Sequence, residues 1–130
     1  MRKLVLIAAL SSALCKSTVP SGLDPLSLWY RGYNVNYFSS ELPDTVIIDH
    51  GFNDERFMAV TDYDTEHKLF VIRMNKKYGP SPKQERATLL HEMCHIRQVV
   101  ENDEQLDQHD SHWQRCMHEL ANKGAFEDLW

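Results

Sequence analysis

Apolar side chains recur at helical spacing over residues 84–102. This stretch contains neither Gly nor Pro, and the Pro-Ser-Pro sequence at residues 80–82 marks its start. The apolar positions that share one face are Leu89, Met93, Ile96 and Val100. Because residues three and four apart lie on the same side of an α-helix, this pattern predicts an amphipathic helix whose apolar face packs into a core.

Two more helices are predicted from capping residues and apolar spacing. Asp24 followed by Pro25 is typical of a helix start. Asp110 or Ser111 can cap another helix, which ends near Gly124. We expect both apolar faces to be buried. They consist of Leu26, Trp29, Tyr30, Tyr33 and Tyr37 in the first helix, and of Trp113, Cys116, Met117 and Leu120 in the other.

Three short apolar runs, at residues 46–48, 57–60 and 69–74, predict β-strands. Turns are expected between them, at residues 50–54 and 62–64. The pattern predicts the α+β class: a small antiparallel sheet of about three strands packed on helices, with the long C-terminal-half helix in the core. At 130 residues, 42% of them hydrophobic, the chain can build one such domain.

Candidate chemistry is concentrated in one region, since five of the seven histidines lie between residues 91 and 118. The first two belong to HEMCH at residues 91–95, an H-E-x-x-H motif. His91 and His95 are four residues apart, so a helix can direct both imidazoles at one metal ion, on the side opposite the apolar face. Glu92 is then not a ligand but the general base that takes a proton from water. The motif indicates a Zn²⁺ site with hydrolytic chemistry.

A catalytic zinc has three protein ligands and an open position for water, so one more residue must come from outside the motif. The candidates are His109, His112 and His118. His118 lies off the apolar face of its predicted helix, and we expect it to be exposed. His109 precedes the helix cap and His112 lies in the first helical turn. Either could reach the motif, so spacing alone leaves both open.

Several segments also match the motifs of a known family. They are YNVNYF at residues 33–38, LP at residues 42–43, TLLHEMCH at residues 88–95 and HDSHW at residues 109–113. On these segments the chain resembles the SprT-like metallopeptidases, whose members include the DNA–protein crosslink protease Spartan, over residues 24–124. The resemblance implies a zincin-like fold, zinc as cofactor, and His109 as the third ligand. His112 stands where the family usually has glutamate, and it remains the reserve ligand.

The resemblance implies a zinc metalloendopeptidase that acts on protein or peptide substrates, with Glu92 as general base. Tyr78, in the loop before the motif, is a candidate donor to the developing oxyanion. Two other classes stay open: a non-proteolytic zinc-binding module in which both His109 and His112 bind, and a DNA-associated protease acting on DNA-bound proteins. A net charge of −5 and the absence of a C-x-x-C pair do not favour nucleic acid as a partner.

The N-terminus has the features of a secretory leader. A positive start precedes an apolar run at residues 4–10, which is too short for a transmembrane helix, and small residues follow. We therefore expect residues 1–17 to be a signal peptide and the protein to be secreted or periplasmic. The alternative is a buried N-terminal helix of a cytoplasmic protein. Cys94 and Cys116 could form a disulfide or remain two buried thiols.

Overall fold

The computed structural model describes residues 24–77, 79–102 and 109–129. Three helices and one three-stranded sheet place these residues in the α+β class, as the sequence predicts. The elements in chain order are α1 (Pro25–Tyr37), β1 (Val46–Phe52), β2 (Ala59–Asp64), β3 (Leu69–Asn75), α2 (Pro82–Asn102) and α3 (Ser111–Asn122). The expected signal peptide at residues 1–17 and the candidate Tyr78 lie outside the described residues. None of the described helices is long and apolar enough to cross a lipid bilayer.

The sheet has the strand order β1-β3-β2 and is mixed, so the prediction of an antiparallel sheet is wrong for one of its pairs. β2 and β3 form an antiparallel hairpin whose turn, residues 65–68, ends on Lys68 with a positive φ of 56°. β1 pairs with β3 in parallel and places Ile48 opposite Ile72. β2 runs opposite to both β1 and β3, so β1 and β3 point the same way. The sheet pairs β1 directly with β3, and that pair is therefore parallel.

The predicted turn at residues 62–64 is instead the end of strand β2. Its polar residues belong to the outer face of the sheet, where Arg73 Nε donates to Asp62 Oδ2 at 2.8 Å. Its one aromatic residue points the other way, and the rings of Tyr63 and Phe70 have centroids 4.6 Å apart. Likewise, β1 continues through residues 50–52, which were expected to turn. Charged residues on an exposed sheet face have the composition of a turn, which explains the error at residues 62–64.

The apolar face of α2 is buried over most of its length. α2 contacts α1, α3, β2 and β3. Leu89, Met93 and Ile96 have no exposed surface, as their spacing predicts. Val100 is 44% exposed, so the prediction is wrong at this fourth position. Val100 lies in the last turns of the helix, where it lines an open groove.

The start of α1 follows the capping prediction. Asp24 Oδ1 accepts a hydrogen bond of 2.8 Å from the backbone N–H two residues on, and Pro25 occupies the first helical position. Tyr30 is buried as expected, but Trp29 is 43% exposed. The Arg86 guanidinium lies over the Trp29 ring, 4.3 Å from its centroid. This cation–π contact accounts for an aromatic side chain that the apolar pattern wrongly assigns to the core.

A disulfide bond joins Cys94 of α2 to Cys116 of α3. The Cα atoms are 5.7 Å apart, which is within the usual range for a disulfide. Both residues are buried, with 0% and 2% of their surface exposed. The sequence is compatible with a disulfide or with two buried thiols, and the structure contains the disulfide. The helix that carries the HEMCH motif is therefore cross-linked to the helix that follows the candidate third ligand.

Candidate metal centre

The two motif histidines lie on one side of α2 and face a groove. The ring centroids of His91 and His95 are 5.1 Å apart, and both side chains are half-buried. Of the intervening residues, Met93 is fully buried on the opposite side of the same helical turn, and Cys94 is fully buried on its flank. Because those buried residues fix how the helix is rotated, they aim both imidazoles away from the core and toward the groove.

A third imidazole reaches this pair from the segment just before α3. His109 Nε2 lies 3.3 Å from His91 Nε2. One ligand nitrogen from each of His91, His95 and His109 lies within 4.8 Å of the other two. Nitrogens bound tetrahedrally to zinc at about 2.0–2.1 Å are themselves about 3.3 Å apart. The chemistry and spacing of these three donors fit one zinc ion.

The start of α3 separates His109 from His112. Asp110 is the helix cap: its Oδ1 accepts hydrogen bonds from the backbone N–H groups of His112 at 3.0 Å and Trp113 at 3.1 Å. His112 therefore lies in the first turn of α3, with its Nδ1 3.4 Å from Asp110 Oδ2. In the part of the chain that the structure describes, His112 does not join the other three histidines. His118 is exposed, as the sequence predicts.

Burial keeps the motif histidines in the form that a metal needs. Burial, together with the neighbouring His95 and His109, lowers the pKa of His91 to about 4. Burial also lowers the pKa of His95, although a hydrogen bond with Gln98 acts in the opposite direction. At neutral pH both rings are therefore uncharged, and each offers a nitrogen lone pair to a cation.

Glu92 is buried between the histidines and the sheet, with 3% of its surface exposed. One carboxylate oxygen, Oε1, accepts a hydrogen bond of 2.6 Å from the hydroxyl of Thr61 on β2. The other, Oε2, lies 3.7 Å from His91 Nε2. Burial raises the pKa of Glu92 to about 7, while the Thr61 hydrogen bond lowers it. A carboxylate with such a pKa can both take and return a proton near neutral pH.

The Trp113 indole packs against all three histidines. Its ring centroid lies 4.8 Å from that of His91, 5.7 Å from that of His95 and 4.3 Å from that of His109. Its Nε1–H donates to the backbone carbonyl of His91 at 3.2 Å. The residue expected only as a core side chain thus forms one wall of the candidate metal centre.

Gln98 connects the motif to the cap of α3. Its side chain is buried, with 5% of the residue exposed. Gln98 Oε1 lies 2.6 Å from His95 Nδ1, and Gln98 Nε2 donates to Asp110 Oδ1 at 2.8 Å. A buried amide therefore bridges a candidate ligand of α2 and the residue that follows the candidate ligand His109.

The groove above the histidines runs between α2 and strand β2. Within the described residues, β2 is an edge strand that is hydrogen-bonded to β3 on one side only. Its residues line the groove together with the histidines and Glu92. Edge strands expose unpaired backbone N–H and C=O groups, so a backbone can be bound here beside the candidate metal centre.

Sequence reasoning missed two of these polar residues. Gln98 could have been found, because it follows His95 by three residues and residues so spaced are neighbours on a helix. Thr61 carries no such sign, since its contact with Glu92 depends on how the sheet packs on α2. The role of Trp113 beside the histidines was equally hidden, because its helical spacing is that of an ordinary core residue.

The chain was compared with known proteins. A comparison with curated proteins gave no match. The model of the SprT-like family matches residues 26–128, which is most of the chain and covers all six elements except the first residue of α1. The family is associated with zinc and linked to metalloprotease-type activity. The chain therefore belongs to the SprT-like family.

Proposed function

We propose that this chain is a zinc-dependent metalloendopeptidase that hydrolyses peptide bonds in protein or peptide substrates. The observation that carries the proposal is the convergence of three imidazoles, those of His91, His95 and His109, beside the buried carboxylate of Glu92. The three histidines would hold the metal. When bound, zinc supplies a Lewis acid and lowers the pKa of water toward about 7. Family membership supports the same activity.

The chain's own general base in this reaction is Glu92. Its Oε1 is held by the Thr61 hydroxyl, so its other oxygen is directed toward the histidine cluster. There it takes a proton as water attacks the scissile carbonyl, and it then passes that proton to the leaving amine. Burial of Glu92 supports this role, because a carboxylate far from bulk water remains aligned and keeps a proton affinity suited to both transfers.

We propose that the substrate binds as an extended strand along the free edge of β2. The edge borders the groove and runs past Thr61, which contacts Glu92. Backbone hydrogen bonds to an edge strand bind a peptide with little dependence on its side chains. A cleaved peptide should therefore be cut at least about tenfold more slowly once alternate amides near the scissile bond are N-methylated, because lost hydrogen bonds cost about 1 kcal/mol or more each. Equal cleavage rates would contradict the strand-edge arrangement.

Zinc content separates the two candidate third ligands. Zinc per chain is measured by elemental mass spectrometry for the wild type, His109→Ala and the matched control His112→Ala. We expect one zinc per chain in the wild type and in the control, and a clear loss in His109→Ala. A wild type that takes up no zinc, even when zinc is supplied during folding, would refute the proposed enzyme.

Replacing Glu92 by Gln separates a protease from a zinc-binding module without activity. The amide keeps the size of the side chain but cannot take a proton. We expect zinc content to be retained and the cleavage of an unfolded protein substrate to fall by about 10²–10⁴-fold, which is the usual contribution of a general base. Cleavage at the wild-type rate by the zinc-loaded variant would rule out this mechanism.

We also propose that the protein is exported from the cytoplasm. The buried disulfide between Cys94 and Cys116 supports this location, because disulfides persist in oxidising compartments and are rare in the cytosol. The leader-like composition of residues 1–17 points the same way. Intact mass after expression of the full chain tests both points. Export predicts a shortened, oxidised chain outside the cytoplasm, whereas a full-length chain with free thiols in the cytoplasm would contradict it.

A further inference from the structure

A chain of polar contacts links the second candidate ligand to the segment that carries the third. It runs from His95 Nδ1 to Gln98 Oε1, a distance of 2.6 Å, and from Gln98 Nε2 to Asp110 Oδ1, a distance of 2.8 Å. Gln98 is buried, and Asp110 directly follows His109. The contacts therefore connect two parts of the site that lie on different helices.

The direction of each hydrogen bond follows from the donor and acceptor chemistry. The Asp110 carboxylate accepts and does not donate, so the Gln98 amide nitrogen must face it. The amide oxygen of Gln98 must then face His95, and an amide oxygen only accepts. Nδ1 of His95 must consequently carry the proton. Its Nε2 is left with a lone pair, which is the form that a metal ligand needs.

The same carboxylate oxygen also fixes the start of α3. Asp110 Oδ1 accepts from the backbone N–H groups of His112 and Trp113 as well as from Gln98. Those backbone donors are otherwise unsatisfied at the first turn of a helix. One oxygen atom therefore holds the helix that begins after His109 and also orients the amide that contacts His95.

We propose that Gln98 is a positioning residue through which the helix cap Asp110 sets the tautomer of His95, so that the second and third histidines are prepared together for a metal. The inference rests on the proposed metal site. It adds two residues, Gln98 and Asp110, that contact no metal and act through His95 and His109. Hydrogen-bond partners of this kind are worth about 10–100-fold in metal affinity.

The test uses Gln98→Met, which keeps the length of the side chain and removes both hydrogen bonds, together with Asp110→Ala and Asp110→Asn. The asparagine retains Oδ1, and with it the cap and the contact with Gln98, so it is the conservative control. The tautomer of His95 is read from imidazole ¹⁵N shifts of the metal-free full chain at pH 8. Zinc affinity is measured by competition with a chelator.

We expect the wild type and Asp110→Asn to hold His95 with its proton on Nδ1. Gln98→Met and Asp110→Ala should show mixed tautomers and bind zinc about 10–100-fold more weakly. The double variant should show the same mixture of His95 tautomers as Gln98→Met, because both changes break the same chain of contacts. A purely structural role for Asp110 would leave the His95 tautomer unchanged.

A folded Gln98→Met with the wild-type tautomer and zinc affinity would overturn the inference. If that variant does not fold, Asp110→Ala decides the question, since an unchanged tautomer there has the same meaning. The tautomer measurement needs no metal. Absence of zinc binding by the wild type would thus refute the proposed function, while an unchanged tautomer in the variants refutes the coupling through Gln98 alone.

Discussion

Removing the disulfide should lower the free energy of unfolding by about 3–5 kcal/mol, through the combined change Cys94→Ala and Cys116→Ala. The two cysteines are 22 residues apart in sequence. Closing a loop of that length in the unfolded chain is worth about 3 kcal/mol. Both sulfur atoms are also buried, and the loss of buried atoms adds about 1 kcal/mol or more. The tether should therefore account for a large part of the stability of so small a domain.

Urea unfolding of the metal-free chain, followed by far-UV circular dichroism, measures this change. The oxidised wild type, the reduced wild type and the double variant are compared under the same conditions. Reduction removes the cross-link but keeps both sulfur atoms, so it separates the loop contribution from the loss of buried volume. The slope of unfolding with urea should rise without the cross-link, because the unfolded chain then exposes more surface. Equal free energies for the oxidised and reduced chains would refute the assignment of about 3 kcal/mol to loop closure.

Three substitutions test other contacts in the fold and site. Thr61→Val removes the hydroxyl that holds Glu92 but keeps the shape of the side chain, so kcat should fall about tenfold or more while KM and zinc content stay unchanged. An unchanged kcat in steady-state peptide cleavage would contradict this role of the Thr61 hydroxyl. Trp113→Phe removes the indole beside the three histidines and its hydrogen bond to α2. The change in tryptophan fluorescence on zinc binding should therefore disappear in this variant. A fluorescence change that persists would show that another tryptophan reports zinc binding. Tyr30→Phe breaks the 2.6 Å hydrogen bond to the Pro43 carbonyl. It should lower the free energy of unfolding, measured in urea, by about 1–2 kcal/mol. A variant as stable as the wild type would contradict this contribution of the hydrogen bond.

The helices could be predicted because their determinants are local. Asp24 and Pro25 define the start of α1 within two residues, and the cap at Asp110 defines the start of α3. The sheet direction could not be predicted in the same way. Pairing β1 with β3 rather than with β2 is a choice between distant partners, and no residue within β1 determines it. The error therefore lies at the level of topology and leaves the identification of three strands intact.

The same distinction applies to the candidate site. His91, Glu92 and His95 come from one helical turn, so their relative positions follow from the helical repeat. The contact of Thr61 with Glu92 joins residues 61 and 92 across a strand and a helix, and it depends on the depth at which α2 packs on β2. A sequence pattern therefore does not reveal residues such as Thr61, which contact the site from a different strand or helix.

The separation of His109 from His112 shows how one local feature resolves a choice that spacing leaves open. Sequence spacing alone would allow either His109 or His112 to contact α2. Once Asp110 caps α3, the backbone of His112 is committed to the first helical turn, and its imidazole lies beside the cap carboxylate. His109 precedes the cap, is free of the helical repeat, and brings its Nε2 to 3.3 Å from that of His91. Either residue of the sequence pair Asp110 and Ser111 could have capped the helix. Had Ser111 done so, Asp110 would have lain outside the helix and its carboxylate would not have been held against Gln98. Either cap would leave His109 before the helix and His112 in its first turn, so the identity of the cap decides only which residue holds the Gln98 amide that contacts His95.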